Sequence, residues 1–184
     1  MTNKQEKMIC NSFGIAKLKA FQKDVITDLL NGKDVLGLAR TSEGKSICFL
    51  SMIAMHPNEL LIGILPTVAL LRDLVQRCEG IEIRAGSLYS DNAENTNTIE
   101  RLKHGKLQAL FVAPERLSDP RLWKAIQRNK VHTVVVDKVH CLTEWGNEFR
   151  PMYRNIGKFI KDLPSSPATA APKSPVHGSF TELH

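Results

Sequence analysis

The chain has 184 residues, 42% of them hydrophobic and 24% charged, an ordinary globular composition with enough length for one domain with a real core. Its 25 Lys+Arg against 19 Asp+Glu give a net charge of +6, which favours an acidic partner such as nucleic acid, or else marks a generally basic surface. Cys10, Cys48, Cys78 and Cys141 show no C-x-x-C spacing, so zinc and a redox dithiol are not expected; residues 1–7 are polar, and no apolar run reaches the roughly 18 residues a membrane span needs, so a soluble intracellular protein is expected, without a membrane partner.

Residues 1–12 read as a polar N-terminal segment. Over 17–30, apolar residues at Leu18, Phe21, Val25, Ile26, Leu29 and Leu30 mark an amphipathic helix that Asn31-Gly32 stops. A short apolar run at 34–39 predicts a buried strand, 46–55 is apolar at helical spacing, and 60–65 is again strand-like. Pro66-Thr67 opens a helix reaching about Cys78. A short strand is predicted over 81–85, a polar loop over 86–98 and a helix from about Thr96 to His104. The valine-rich runs 107–113 and 131–136 read as buried parallel strands. Strands alternating with helices imply an α/β fold with a mostly parallel sheet covered on both faces. After Leu163, Pro164, Pro167, Pro172 and Pro175 follow in quick succession, so 164–184 reads as an irregular tail.

Two segments carry chemistry. The 34–39 strand leads through Arg40, Thr41, Ser42, Glu43, Gly44, Lys45 and Ser46 into a helix. This is the context of a phosphate-binding loop: backbone N–H groups cradle phosphates, Lys45 reaches the β and γ oxygens and Ser46 places its hydroxyl on Mg²⁺. The usual glycine six residues before the lysine is Ala39 here, and a strand-to-helix turn with Ser46 as an ordinary cap is the other reading. The second segment, Val134-Val135-Val136-Asp137, puts a carboxylate at the carboxyl end of a buried strand, where it can help hold Mg²⁺ or can cap a helix.

Five stretches in order resemble the first motor domain of RecQ-type DNA helicases, over residues 13–163. They are Phe13-Gly14 with Leu18-Lys19 and Gln22; the loop at 39–46; Leu65-Pro66-Thr67 with Leu70 and Leu71; Val112-Ala113-Pro114-Glu115-Arg116-Leu117, identical to the family's V-A-P-E-R-L; and Asp137 to Tyr153, against D-E-A-H-C-I-S-x-W-G-H-D-F-R-P-x-Y. The resemblance implies a RecA-like domain with ATP and Mg²⁺ as cofactors and single-stranded or partly duplex DNA as partner. It implies that Gln22 reads the adenine edge, that Thr41, Ser42, Glu43, Gly44, Lys45 and Ser46 bind ATP, and that Ser46 and Asp137 hold Mg²⁺. It assigns Pro66 and Thr67 to tracking a DNA strand, His140 to linking nucleotide and DNA sides, and Trp145, Phe149 and Arg150 to coupling DNA contact with hydrolysis. Aromatic faces stack on bases and arginine reaches phosphate; without the resemblance, Trp145 and Phe149 read as core packing. In a eukaryote a nuclear location would follow.

The chain departs from that family in four places. Lys138 stands where the family has the glutamate that orients the attacking water, and loss of a general base costs about 10²–10⁴ in rate. Ser42 replaces a glycine and Arg40 a proline. The family's next strand, central in the sheet, survives only as Ala168-Thr169-Ala170, so one central strand is expected to be missing. A second motor domain, which supplies an arginine finger in the family, is not recognisable here. The expectation is therefore a domain that binds ATP and DNA with hydrolysis and unwinding impaired. The alternatives are a non-functional fragment, a nucleotide-independent interaction module competing with a full-length relative, or a lobe that works when a second is supplied. Lys103, Lys106, Lys124, Arg128 and Lys130 read as a solvated basic face, and neither His56 nor His132 has a spacing that suggests a metal.

Overall fold

The computed structural model describes residues 1–39, 44–137, 150–163 and 176–182. In chain order its strands are β1 (Val35–Ala39), β2 (Leu60–Ile64), β3 (Ala85–Leu88), β4 (Ala109–Val112), β5 (Val131–Asp137) and β6 (Val176–Glu182). Its helices are α1 (Asn3–Phe13), α2 (Ala20–Leu30), α3 (Lys45–Met55), α4 (Val68–Glu79), α5 (Asn95–Lys103), α6 (Pro120–Ile126) and α7 (Arg150–Asp162), with a 3-10 turn over Pro114–Ser118. The strands form one six-stranded sheet in the order β1-β6-β5-β2-β4-β3, parallel throughout.

Side chains alternate across the pleat and build two cores. Ala109 and Phe111 of β4 face α1, α2, α3 and α4, through residues such as Ile9, Ile26, Phe49 and Leu71. Leu110 and Val112 face α5, α6 and α7, through Leu102, Leu122 and Phe159. The arrangement is the three-layer α/β sandwich that apolar strands, buried on both faces, require. Contact at the middle is close: a Cβ on Gly63 in β2 would sit 2.6 Å from the Phe111 ring.

The sheet corrects the expectation of a missing central strand. β6 lies between β1 and β5, with Gly178 opposite Val35 on one side and Val135 on the other. The tail is therefore not irregular over Val176–Glu182. Its apolar content is slight, but a ladder needs only backbone N–H and C=O groups, and β1 and β5 each present a full row of them. Residues 164–175, with the remnant Ala168-Thr169-Ala170, lie outside the described residues.

Two smaller corrections have local causes. The N-terminal segment is a helix, not just a polar stretch. Thr2 and Gln5 form a capping box, Gly14 closes the helix at φ 62°, and Ile9 and Cys10 are buried. The strand expected at 81–85 begins at Ala85 instead, because 81–84 is still leaving α4. Ile83 N–H donates to the Cys78 carbonyl, and Glu82 takes φ 59°. The expected 86–98 loop is consequently strand as far as Leu88 and helix again from Asn95.

No helix among the described residues is long and apolar enough to cross a membrane. Cys10, Cys48 and Cys78 are buried free thiols, and burial pushes Cys48 and Cys78 up to about 12. Cys141 lies outside the described residues.

Candidate nucleotide site at the carboxyl edge of the sheet

Every strand points the same way, so the loops that leave β1, β2, β4 and β5 share one edge. That edge is where open α/β sheets bind ligands. The loop after β1 ends at Gly44, the N-cap of α3, in a left-handed conformation (φ 78°, ψ 38°). Only glycine takes that conformation without strain. Space makes a second demand, since a Cβ on Gly44 would stand 2.7 Å from Gln22 Nε2.

Gln22 is the reason for that crowding. It is 2% exposed and sits in the first turn of α2. Its Oε1 accepts from the Lys19 N–H at 2.9 Å, and its Nε2 donates to the Gly44 carbonyl at 3.2 Å. One buried amide thus ties the start of α2 to Gly44, the end of the loop after β1. The Gly44 carbonyl also accepts from the Ile47 N–H at 3.1 Å, which closes the first turn of α3. Lys45 and Ser46 occupy that turn and are half-buried. Gly44 contributes no side-chain cap, so the helix start combines N–H groups, a positive dipole end and a lysine, the chemistry that suits an anion.

Asp137 ends β5 and is half-buried at the same edge. It pairs with Phe180 of β6, while Ala39, last in β1, pairs with Glu182. Asp137 and the end of β1 therefore flank β6. A serine hydroxyl and an aspartate carboxylate are hard oxygen donors, the set Mg²⁺ takes when it bridges to phosphate. Pro66 and Thr67 follow β2, next to β5. Thr67 has a structural task, since its hydroxyl accepts from the Leu70 N–H at 3.4 Å and caps α4. The V-A-P-E-R-L stretch runs from Val112 at the end of β4 through Ala113 into the 3-10 turn, where Ser90 reaches Glu115 at 3.4 Å.

The structure thus brings together Gln22, Gly44, Lys45 and Ser46, with Asp137, Pro66 and Thr67 along the same edge. Arg150 is the first residue of α7. Thr41, Ser42, Glu43, Lys138, His140, Trp145 and Phe149 lie outside the described residues. The bond from Gln22 to the loop was not visible in the sequence, which offered Gln22 only as an adenine reader by resemblance.

Comparison with known proteins agrees with this architecture. The DEAD/DEAH box helicase family profile matches residues 19–176. The ATP-dependent DNA helicase RecQ of Haemophilus influenzae is 31% identical over 160 residues, covering 86% of this chain and 26% of that protein. The probable ATP-dependent DNA helicase RecS of Bacillus subtilis is 31% identical over 170 residues, covering 91% of this chain and 34% of that one. The chain thus spans between a quarter and about a third of the length of these relatives. The solved structure of the DUF1998 helicase MrfA bound to DNA and AMPPNP matches 99% of the chain and 27% of its own at 16% identity, with a TM-score of 0.68, a likeness of fold. The chain belongs to the DEAD/DEAH box helicase family, as a RecQ-like helicase domain.

Proposed function

We propose that this chain binds ATP with Mg²⁺ at the carboxyl edge of its sheet and DNA beside it, and that it hydrolyses ATP poorly. The observation that carries the reading is the left-handed Gly44 at the start of α3, tied to buried Gln22 and followed by Lys45 and Ser46. Lys45 would pair with the β and γ oxygens, Ser46 and Asp137 would hold Mg²⁺, and Thr41, Ser42 and Glu43 would complete the loop. When bound, ATP would supply a γ-phosphoryl group for transfer to water. Orienting that water is the task for which Lys138 is unsuited, because an ammonium does not accept a proton as a carboxylate does. His140 would link nucleotide and DNA sides. Trp145, Phe149 and Arg150, with Pro66 and Thr67, would contact a DNA strand by stacking and phosphate pairing, helped by the net charge of +6. The alternative of a non-functional fragment drew on the Pro-rich tail and on a missing strand, and β6 fills the place of that strand.

The test is a pair of assays on the purified chain. Fluorescence anisotropy with a labelled single-stranded oligonucleotide should show binding that weakens steeply with salt. Steady-state phosphate release with Mg²⁺-ATP and the same DNA should stay at background. DNA-stimulated turnover would overturn the impairment, and binding indifferent to both salt and Lys45→Ala would overturn the nucleic-acid and nucleotide sites together.

A further inference from the structure

At the opposite, amino edge of the sheet, three metal-ligating side chains converge. His56 is the C-cap of α3, Glu59 lies just before β2, and His132 is near the start of β5. Their ligand atoms all lie within 4.8 Å of one another. The approach is built by a β-bulge. Leu60 pairs with Val131 but Leu61 pairs with Thr133, which leaves His132 as the extra residue. Bulges re-aim side chains, and this one shifts the alternation: Val131 joins Val134 and Val136 in one core, while Val135 faces the other. His132 is thereby stacked on His56, ring centroids 3.5 Å apart.

We infer that His56, Glu59 and His132 form a site for a divalent transition-metal ion of the zinc class, independent of the nucleotide site. Two imidazoles and one carboxylate are a donor set that such ions take, with a fourth position left for water. Glu59 supplies a second observation. One carboxylate oxygen pairs with Lys130, while Oε2 is buried without a hydrogen-bond partner and stands 3.9 Å from His56 Nδ1. A buried, unsatisfied carboxylate oxygen is costly, and a cation would satisfy it. The Thr133 hydroxyl, 2.7 Å from His132 Nδ1, engages one ring nitrogen and leaves the other for the ion. A zinc ion bound at about 2.0–2.2 Å needs its ligand atoms closer together than they stand here, a small inward turn of partly exposed His56 and Glu59. Nothing along the chain signals this cluster, because His56 and His132 become neighbours only through the pairing of β2 with β5. The expectation of no zinc rested on the cysteine spacing and on the lack of any metal-like spacing at His56 and His132.

β5, rising ~3.3 Å per residue, carries His132 at one end and Asp137 at the other, roughly 17 Å apart. The metal test therefore needs no nucleotide. EDTA-stripped chain would be titrated with Co²⁺ and followed by visible absorption, then challenged with Zn²⁺. The expected result is one-to-one d–d bands without a thiolate charge-transfer band, displaced by Zn²⁺. Glu59→Gln and His56→Gln should each weaken Co²⁺ binding by about tenfold or more, with the unmutated circular-dichroism melt retained. Absence of d–d bands overturns the site. So do bands that survive unchanged in both variants, or that carry thiolate charge transfer, which would place the ion on cysteines.

Discussion

Gly44 meets two independent constraints, and both fail in the same substitution. Gly44→Ala strains a residue at φ 78° and drives a Cβ to 2.7 Å from Gln22 Nε2. The first effect is worth on the order of 1 kcal/mol, and the second breaks the bond to the loop carbonyl. The expected outcome is a lower melting midpoint together with weakened ATP binding, measured by chemical denaturation and nucleotide titration. Retained affinity would show that Gln22 does not hold the loop. The histidines give a pH signature. Burial pushes His132 down to about 4 from 6.5, with His56 nearby adding to the shift, and burial also lowers His56. The unfolded chain then binds more protons than the folded one below about pH 6.5. Stability in EDTA should therefore fall as pH drops through 6.5 toward 4. Thermal midpoints across that window should decline less steeply in His132→Asn than in the unmutated chain.

Among the elements, β6 tests the account most sharply. It is an interior strand, between β1 and β5, and a proline there removes an N–H and obstructs the ladder. Gly178→Pro should abolish the cooperative melt followed by circular dichroism; an unchanged midpoint would mean that β6 does not hold the sheet together. β6 also marks where the sequence was hard to interpret. The strands 34–39, 60–65, 107–113 and 131–136 were legible because parallel strands buried on both faces are continuous apolar runs. Val176–Glu182 has only Val176 and Phe180 as large apolar residues, and four nearby prolines argued against any strand. Its partners decide the matter, and partners leave no trace in local composition. The same holds for the sites. The spacing of Gly44, Lys45 and Ser46 was readable, and Asp137 too, since each follows an apolar strand. The Gln22–Gly44 bond spans 22 positions, and the His56–Glu59–His132 cluster exists only through a bulge, so neither had a signature along the chain. Helix α6 escaped as well, although Asp119 caps it and Pro120 opens it, the usual signals of a helix start.

At the scale of the molecule, the six-stranded sheet among the described residues has the proposed nucleotide site at one edge and the proposed metal site at the other, joined by α3 and β5. Each of these elements has one end near the phosphate loop and the other near the histidine cluster. The central claim is that the carboxyl edge binds nucleotide in this chain, even with a lysine at position 138. The direct measurement is thermal unfolding with and without Mg²⁺-ATP, for the unmutated chain and Lys45→Ala in parallel. A ligand at a hundred times its dissociation constant adds about 2.7 kcal/mol to stability. A cooperative midpoint that rises with ATP in the unmutated chain and stays put in Lys45→Ala is the predicted result; a midpoint that ATP leaves unmoved, or moves equally in both, would contradict it.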